Sequence, residues 1–173
     1  MPRTWNNFTY EGQVLIDLSI IKNTNSITLN VDGLIIHKIN TTLLNSQHNC
    51  LAILSQIFDE EKQFFIIRFT NDLGIGNYSL YLKFNGEIRD DVFGFYRSNY
   101  KDGDKIKWIA VTQFSPIFAR RAFPCFDEPY LKATFKLGIG HYGNQTITSN
   151  TQREKIQLIR HEDDDWNGKN GKL

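Results

Sequence analysis

The sequence predicts an all-β domain of mostly antiparallel strands, and three observations lead to this fold class. Several short segments alternate apolar and polar side chains with the period of two that is typical of half-buried strands. Turn-forming residues separate these segments along the chain. In addition, no stretch of about a dozen residues shows the apolar spacing of three and four that indicates an amphipathic helix.

The first predicted strands lie in the N-terminal half of the chain. Apolar residues alternate through residues 10–20 and through "SITLNV" at residues 26–31. A third segment, "GLIIHKI" at residues 33–39, follows across the turn signal Asp32-Gly33. We therefore expect three strands, the last two joined by a tight turn.

Two clearer hairpins follow. The strings "LAILSQIF" and "QFFIIRF" flank charged residues 59–62, which are costly to bury between apolar strands. The strings "FGFYRS" and "KWIAVTQF" surround a turn at residues 101–104. The other predicted strands are residues 78–84, 133–140 and 146–150, with one further candidate that contains Ile156, Leu158 and Ile159.

Composition predicts one soluble globular domain over residues 1–173, since 40% of the residues are hydrophobic and 23% are charged. The net charge of +1 comes from 20 basic and 19 acidic residues spread along the chain, which excludes nucleic acid as a partner. No apolar run approaches the roughly 20 residues of a membrane span, and no secretory signal pattern follows Met1.

The compartment is indicated only by acceptor motifs for N-glycosylation. The N-x-[ST] pattern occurs about twice as often as chance predicts for such a composition. It favours an extracellular or cell-surface location over a cytoplasmic one, although the missing signal points the other way. The four possible glycosylation sites are Asn7, Asn40, Asn77 and Asn144.

A metal site is not predicted. Catalytic zinc needs about three converging protein ligands, and the histidines are isolated from one another in sequence. The string "HEDDD" begins like H-E-x-x-H, but Asp165 stands where the second histidine would be, so a solvated acidic turn is the favoured interpretation. The four histidines are His37, His48, His141 and His161.

Nucleophilic catalysis is not predicted either. The sequence contains no G-x-S-x-G elbow, and neither Cys50 nor Cys125 has a histidine nearby in sequence to lower its pKa. The two cysteines either pair or stay as buried free thiols, and the second alternative is favoured.

The string "ARRAFPCFDEP" concentrates charged side chains without forming a catalytic pair. Asp127 and Glu128 are adjacent, and neighbours on an extended strand point to opposite sides. We expect Arg120, Arg121, Asp127 and Glu128 to bind one another and the backbone around a proline-braced turn, with phenylalanines packed beneath.

The strings "GFYRSNY", "KWIAVTQF", "ARRAFPCFDEP" and "LKATF" resemble the N-terminal domain of the aminopeptidase N family of zinc metallopeptidases. The similarity is densest over residues 93–150 and extends back through "FTYEGQVLIDLSI". The resemblance implies a saddle-like β-sandwich that covers one side of an active-site cleft. It also implies that the zinc ligands and the G-A-M-E-N strand lie in a following domain, so no cofactor is expected in this chain.

Two site residues are implied by the resemblance. Gln113 of the "TQF" motif would line the pocket for the first side chain of a peptide substrate. The alternative is that Gln113 is only a polar residue whose side chain hydrogen-bonds to the backbone at a strand end. Ser115 takes the position where the family usually has an acid that holds the α-ammonium of the peptide.

The family has further strands before "FTYEG" and after "TSN", so the resemblance implies an incomplete domain. The first functional hypothesis is therefore that the chain is part of an aminopeptidase and is inactive alone. Its partners would be peptide N-termini, which the absent catalytic domain would bind. The alternative is a non-enzymatic β module that binds peptides or docks onto a full-length aminopeptidase.

Overall fold

The antiparallel all-β fold class is confirmed. A computed structural model describes residues 8–141, 145–152 and 154, and within them the chain forms nine strands and two short 3-10 helices. The strands are β1 (Thr9–Ile20), β2 (Thr24–Asn30), β3 (Ile35–Ile36), β4 (Thr42–Asn45), β5 (Ile53–Asp59), β6 (Phe64–Leu73), β7 (Gly76–Glu87), β8 (Gly94–Asp102) and β9 (Lys105–Gln113). The 3-10 helices are Lys38–Asn40 and Ala119–Arg121.

The chain divides into two compact units, Met1–Lys132 and Ala133–Leu173. All nine strands of the described residues lie in the first unit. In that described part, no helix is both long and apolar enough to pass through a bilayer.

The described residues of the first unit contain three sheets. In the first, here called the β7 sheet, β1 is antiparallel to β7 from the Thr9–Glu87 pair to the Ile20–Gly76 pair. Strands β3 and β4 pair with the other side of β7. The second, called the β6 sheet, has the order β2-β6-β5, and the third is the two-stranded β8–β9 ribbon.

Apolar side chains of the β7 and β6 sheets form one core. They come from alternate positions because successive strand residues point to opposite faces. Each fully buried aliphatic or aromatic side chain contributes roughly 1.5–3 kcal/mol relative to exposure. The largest fully buried apolar side chains are Phe65, Leu29, Leu43, Ile67, Leu80, Leu82 and Val31.

Both clear hairpins are confirmed. Strands β5 and β6 pair in antiparallel register across the charged connection. Strands β8 and β9 pair from Gly94–Gln113 to Asp102–Lys105, and Gly103 in their turn has a φ of 61°. Glycine suits this left-handed conformation because it has no Cβ to clash.

The expected hairpin between β2 and β3 is wrong. Gly33 has a φ of 68° and turns the chain, but β3 then pairs with Asn85 and Phe84 of β7 in the other sheet. Alternation identifies a strand and its buried face, but it does not identify the neighbour that accepts its hydrogen bonds. The sequence also failed to predict β4, whose four residues are too short to show a period of two.

The strands predicted at residues 133–140 and 146–150 are wrong, since neither segment forms a strand in the described structure. Residues 133–140 do alternate, but the side chains of Phe135 and Leu137 are 72% and 73% exposed. An alternating sequence forms a β-strand only where a neighbouring strand accepts and donates its backbone hydrogen bonds. The candidate strand at Ile156, Leu158 and Ile159 lies outside the described residues.

Candidate functional site at the end of strand β9

The structure brings the two predicted site residues together. Gln113 ends β9, and Ser115 follows two residues later; both residues are exposed. The Gln113 side-chain nitrogen Nε2 donates a hydrogen bond to the Ser115 backbone oxygen at 3.4 Å. No described residue donates a hydrogen bond to the Gln113 oxygen Oε1, which leaves an exposed acceptor at the strand end. The proposed ligand roles of both residues stay predictions.

Aromatic contacts hold the chain on either side of Ser115. The Phe114 ring meets the Phe123 ring edge-on at 5.9 Å between centroids, and Phe118 stacks on Phe93 at 4.3 Å. The backbone N–H of Phe118 donates to the Phe114 carbonyl at 2.8 Å, and the Ser115–Pro116 peptide bond is cis. The segment therefore leaves β9 as a tight turn with defined anchors.

Arg120, which follows this turn in the chain, is buried and forms the centre of a polar network. Its Nε lies 3.0 Å from Asp127 Oδ2, and its Nη1 donates to the Gln63 side-chain oxygen at 3.2 Å. The Arg120 carbonyl also accepts from the Asp32 backbone N–H at 3.0 Å. Among the four charged residues predicted to bind one another, Arg120 and Asp127 do form a pair.

Arg121 pairs differently from what the sequence predicted. Its Nε lies 2.7 Å from Asp32 Oδ2 and its Nη1 lies 3.1 Å from Asp91 Oδ2. Glu128 is exposed, and its side chain forms no bond with a described residue, so the prediction that it joins this network is wrong. The partners of Arg121 are 89 and 30 residues away in sequence, and no local pattern could have identified them.

Gly94 joins the ribbon to this network. Its φ is 73°, and a Cβ at this position would lie 2.6 Å from the Arg121 Cβ and 3.3 Å from the Phe118 carbonyl oxygen. Only glycine allows this approach without displacing backbone. Because Gly94 pairs directly with Gln113, the contact fixes the end of β9 against the Ala119–Arg121 helix.

Both cysteines are free, but only Cys125 is buried, so the favoured interpretation is right for Cys125 and wrong for the exposed Cys50. Cys125 exchanges backbone hydrogen bonds with Asn30 at 2.8 and 3.3 Å. Burial raises the pKa of the Cys125 thiol to about 12, and the Asp127 carboxylate contributes to the increase. A thiol with so high a pKa is not a nucleophile near neutral pH.

Tyr10 closes the network from β1. Its hydroxyl donates to the Ala122 carbonyl at 2.8 Å, and its ring meets Phe95 of the ribbon at 5.0 Å. Burial raises the pKa of the Tyr10 hydroxyl, while Arg89 acts in the opposite direction. Strand β1, the ribbon and the segment after it are therefore held at one junction.

The described residues do not fit a zinc site. No group of three His, Cys, Asp or Glu side chains among them is placed to share a metal ion. His37 Nε2 instead contacts the side-chain oxygen of Asn85. The "HEDDD" string, with His161 and Asp165, lies outside the described residues.

A family model, the peptidase M1 N-terminal domain, matches residues 3–169. Aminopeptidase 2 of Candida albicans is 35% identical over 156 residues, which are 89% of this chain. Aminopeptidase M1 of Arabidopsis thaliana is 41% identical over 130 residues, or 75% of the chain. The human thyrotropin-releasing hormone-degrading ectoenzyme is 30% identical over 161 residues, or 92% of the chain. The chain spans only 15–16% of the length of these relatives.

Proposed function

Because the chain belongs to the peptidase M1 N-terminal domain family, we propose that it forms one wall of a groove that receives the N-terminus of a peptide. The observation that carries this proposal is the hydrogen-bonded pair Gln113 and Ser115 at the exposed end of β9. The names of the relatives, which are aminopeptidases, support the same substrate class. The buried Arg120–Asp127 network supplies the rigid support that a binding wall needs.

Gln113 and Ser115 bind different parts of the peptide N-terminus. The Gln113 amide lines the pocket for the first side chain, and its oxygen accepts hydrogen bonds from the peptide. Ser115 faces the α-ammonium with a neutral hydroxyl, and a hydrogen bond to such a group contributes roughly 1 kcal/mol. A charge-assisted hydrogen bond to the acid that is usual in the family contributes about 1.5–3 kcal/mol. This difference weakens amine recognition about tenfold, because 1.4 kcal/mol corresponds to a factor of ten.

Binding is tested by titrating the isotope-labelled chain with a tripeptide that carries a free amine, and with its N-acetylated form, by NMR. We expect the free amine to shift the amide signals of residues 113–115 more strongly than the acetylated peptide does. Gln113→Ala reduces the shifts, whereas Gln47→Ala, which alters an exposed glutamine on a turn after β4, leaves them unchanged. Equal shifts with both peptides, or shifts that do not involve residues 113–115, contradict the proposed wall.

The proposal assigns bond breaking to a zinc-binding domain that follows this one in the resembling family. On this account the 173-residue chain alone binds no stoichiometric zinc and releases no amino acid from aminoacyl reporter substrates. Metal analysis and a turnover assay with and without a chelator test both statements. Turnover that the chelator abolishes contradicts the assignment.

A docking module is the second candidate, and the exposed ribbon favours it. Exposed apolar side chains in one region mark interfaces more often than free surface. On the ribbon, Tyr100 and Ile109 are exposed on one face, and Ile106 and Trp108 are exposed on the other. The reading frame distinguishes the candidates: a frame that continues into G-A-M-E-N and H-E-x-x-H supports part of an enzyme, and a verified stop after Leu173 supports the docking module.

A further inference from the structure

Four polar side chains form two neighbouring hydrogen-bonded pairs, together called the polar row, on the outer face of the β7 sheet. In the β1–β7 register Asp17 pairs with Ser79 and Ser19 pairs with Asn77. The Ser79 hydroxyl donates to Asp17 Oδ1 at 2.6 Å, and the Ser19 hydroxyl donates to Asn77 Oδ1 at 2.6 Å. The alternate residue Leu80 is fully buried in the core, so this row faces away from the β6 sheet.

Asn77, Tyr78 and Ser79 form one of the acceptor motifs for N-glycosylation. Asn77 is exposed, and its side-chain oxygen is held by Ser19. No described residue accepts a hydrogen bond from its side-chain nitrogen Nδ2. Because Asn77 Oδ1 points at Ser19 of β1, Asn77 Nδ2 points away from β1. Nδ2 is the atom to which the sugar is attached in N-glycosylation.

An open depression of about 300 Å³ lies beside this amide. Hydroxyl, carboxylate, amide and imidazole groups line it, and a pyranose with several hydroxyls pairs with such groups at its rim. The lining residues include Asp17, Ser19, Asn45, His48 and Asn77. The side-chain oxygen of Asn45 accepts from the backbone N–H of Gln47 and of Asn49, so the turn on the far side of the depression is ordered.

From these observations we infer that Asn77 carries an N-linked glycan whose first N-acetylglucosamine lies over this depression. The reaction takes the oligosaccharide from a lipid pyrophosphate. A bond forms between Asn77 Nδ2 and C1 of the sugar, and the bond from C1 to the pyrophosphate oxygen breaks. The lipid pyrophosphate leaves with the electron pair of the broken bond, and the proton that Nδ2 loses neutralises one negative charge of this leaving group.

Asn40 is the other acceptor that the structure describes, and it differs from Asn77. Asn40 is exposed at the end of the Lys38–Asn40 helix, but no hydrogen bond with a described residue orients its side chain. Asn7 and Asn144 lie outside the described residues. Asn40 is therefore the matched control site for Asn77.

The glycan at Asn77 lies on a different sheet from the proposed groove at the end of β9. A glycan on the outer face of the β7 sheet needs that face to stay open to solvent. The face is then unavailable as an interface, whereas the β8–β9 ribbon stays available.

The test is secretory expression of the full chain in a eukaryotic cell, followed by intact mass and endoglycosidase treatment. We expect Asn77→Gln and Ser79→Ala each to remove one glycan. Ser79→Thr retains the glycan because threonine also completes the motif, and Asn40→Gln leaves the glycan at Asn77 in place. The unfolding midpoint of each secreted variant confirms that the protein is folded.

Amide hydrogen exchange tests the position of the first sugar. After the glycan is trimmed to one N-acetylglucosamine, residues 45–48 should exchange more slowly than in Asn77→Gln. An unchanged glycan count in both Asn77→Gln and Ser79→Ala overturns the attachment site. Unchanged exchange at residues 45–48 overturns the placement over the depression.

Discussion

The Arg120 guanidinium lies 3.0 Å from the Asp127 carboxylate, and the two side chains are only 10% and 13% exposed. The pair links the two ends of the segment that contains the fully buried Pro124. A charge pair shielded from water in this way depends on both partners, because neither charge is stable there alone. The pair therefore holds the segment from residue 120 to residue 127 in one conformation.

Removing one partner of this pair should be costly. We expect Asp127→Ala to lower the free energy of unfolding by about 3–5 kcal/mol, since it leaves the Arg120 charge buried without its partner. The double variant Arg120→Met with Asp127→Leu should recover part of this loss. The exposed pair Lys62–Asp59 is the control, and Lys62→Ala should cost less than about 1 kcal/mol. Urea denaturation measures all four proteins, and equal losses for Asp127→Ala and Lys62→Ala would contradict the buried-pair account.

Gly94 and Gly103 provide a matched test of the ribbon junction. Both have left-handed φ values, 73° and 61°, but an added Cβ meets Arg121 at Gly94 and nothing within 4 Å at Gly103. Gly103→Ala should therefore cost only the backbone strain, about 1 kcal/mol. Gly94→Ala should cost clearly more, because Arg121 and the Phe118 carbonyl must also move. Thermal unfolding compares the two variants, and an equal loss would show that the contact is unimportant.

The two thiols should differ in reactivity. At pH 8 we expect the exposed Cys50 to react with a thiol reagent within minutes, while Cys125 stays unmodified in the folded chain. Burial keeps the Cys125 thiol protonated because its pKa is about 12. In denaturant both cysteines should react. Mass spectrometry of the labelled peptides gives the result, and rapid labelling of Cys125 in the native protein would refute its burial.

Alkaline pH should destabilise the first unit. Burial raises the pKa of the Tyr10 hydroxyl and of the Cys125 thiol above their ordinary values of 10.0 and 9.0, so the unfolded chain releases these protons at lower pH than the folded chain. The free energy of unfolding is therefore unaffected by them below about pH 9, and it falls as the pH rises towards 12. The slope is at most about 1.4 kcal/mol per pH unit for each group.

Variants identify the groups responsible. Cys125→Ala and Tyr10→Phe should each flatten the dependence of unfolding free energy on pH above 9, whereas Cys50→Ala should not change it. Denaturation curves at several pH values provide the measurement. A slope that is the same in Cys125→Ala and in the unchanged protein would argue against the proposed titration of Cys125.

The sequence predicted strands better than it predicted their neighbours. Alternation located β1 and the β5–β6 hairpin because each strand has one buried face or an adjacent partner in the chain. It failed for β3, whose partner β7 is distant in sequence, and for residues 133–140, where alternation is not accompanied by pairing. A period of two describes side chains only, and the choice of backbone partner depends on the whole fold.

The candidate site shows the same division. Local sequence was enough to predict that charged residues of this segment bind one another, as Arg120 and Asp127 do across seven residues. It could not predict Asp32 and Asp91 as the partners of Arg121, because chain folding alone brings them together. Similarly, the family resemblance implied a pocket role for Gln113 and placed Ser115 where the family usually has an acid, but only the structure shows the hydrogen bond between them.

The most direct test of the peptide-binding wall is the affinity of Ser115→Glu for a tripeptide with a free amine, compared with its N-acetylated form. The added carboxylate should strengthen binding of the free amine about tenfold through a charge-assisted hydrogen bond. It should leave the acetylated peptide unaffected, and the neutral control Ser115→Gln should show no comparable gain. If Ser115→Glu binds both peptides as the unchanged chain does, or strengthens both equally, the end of β9 does not receive the peptide amine.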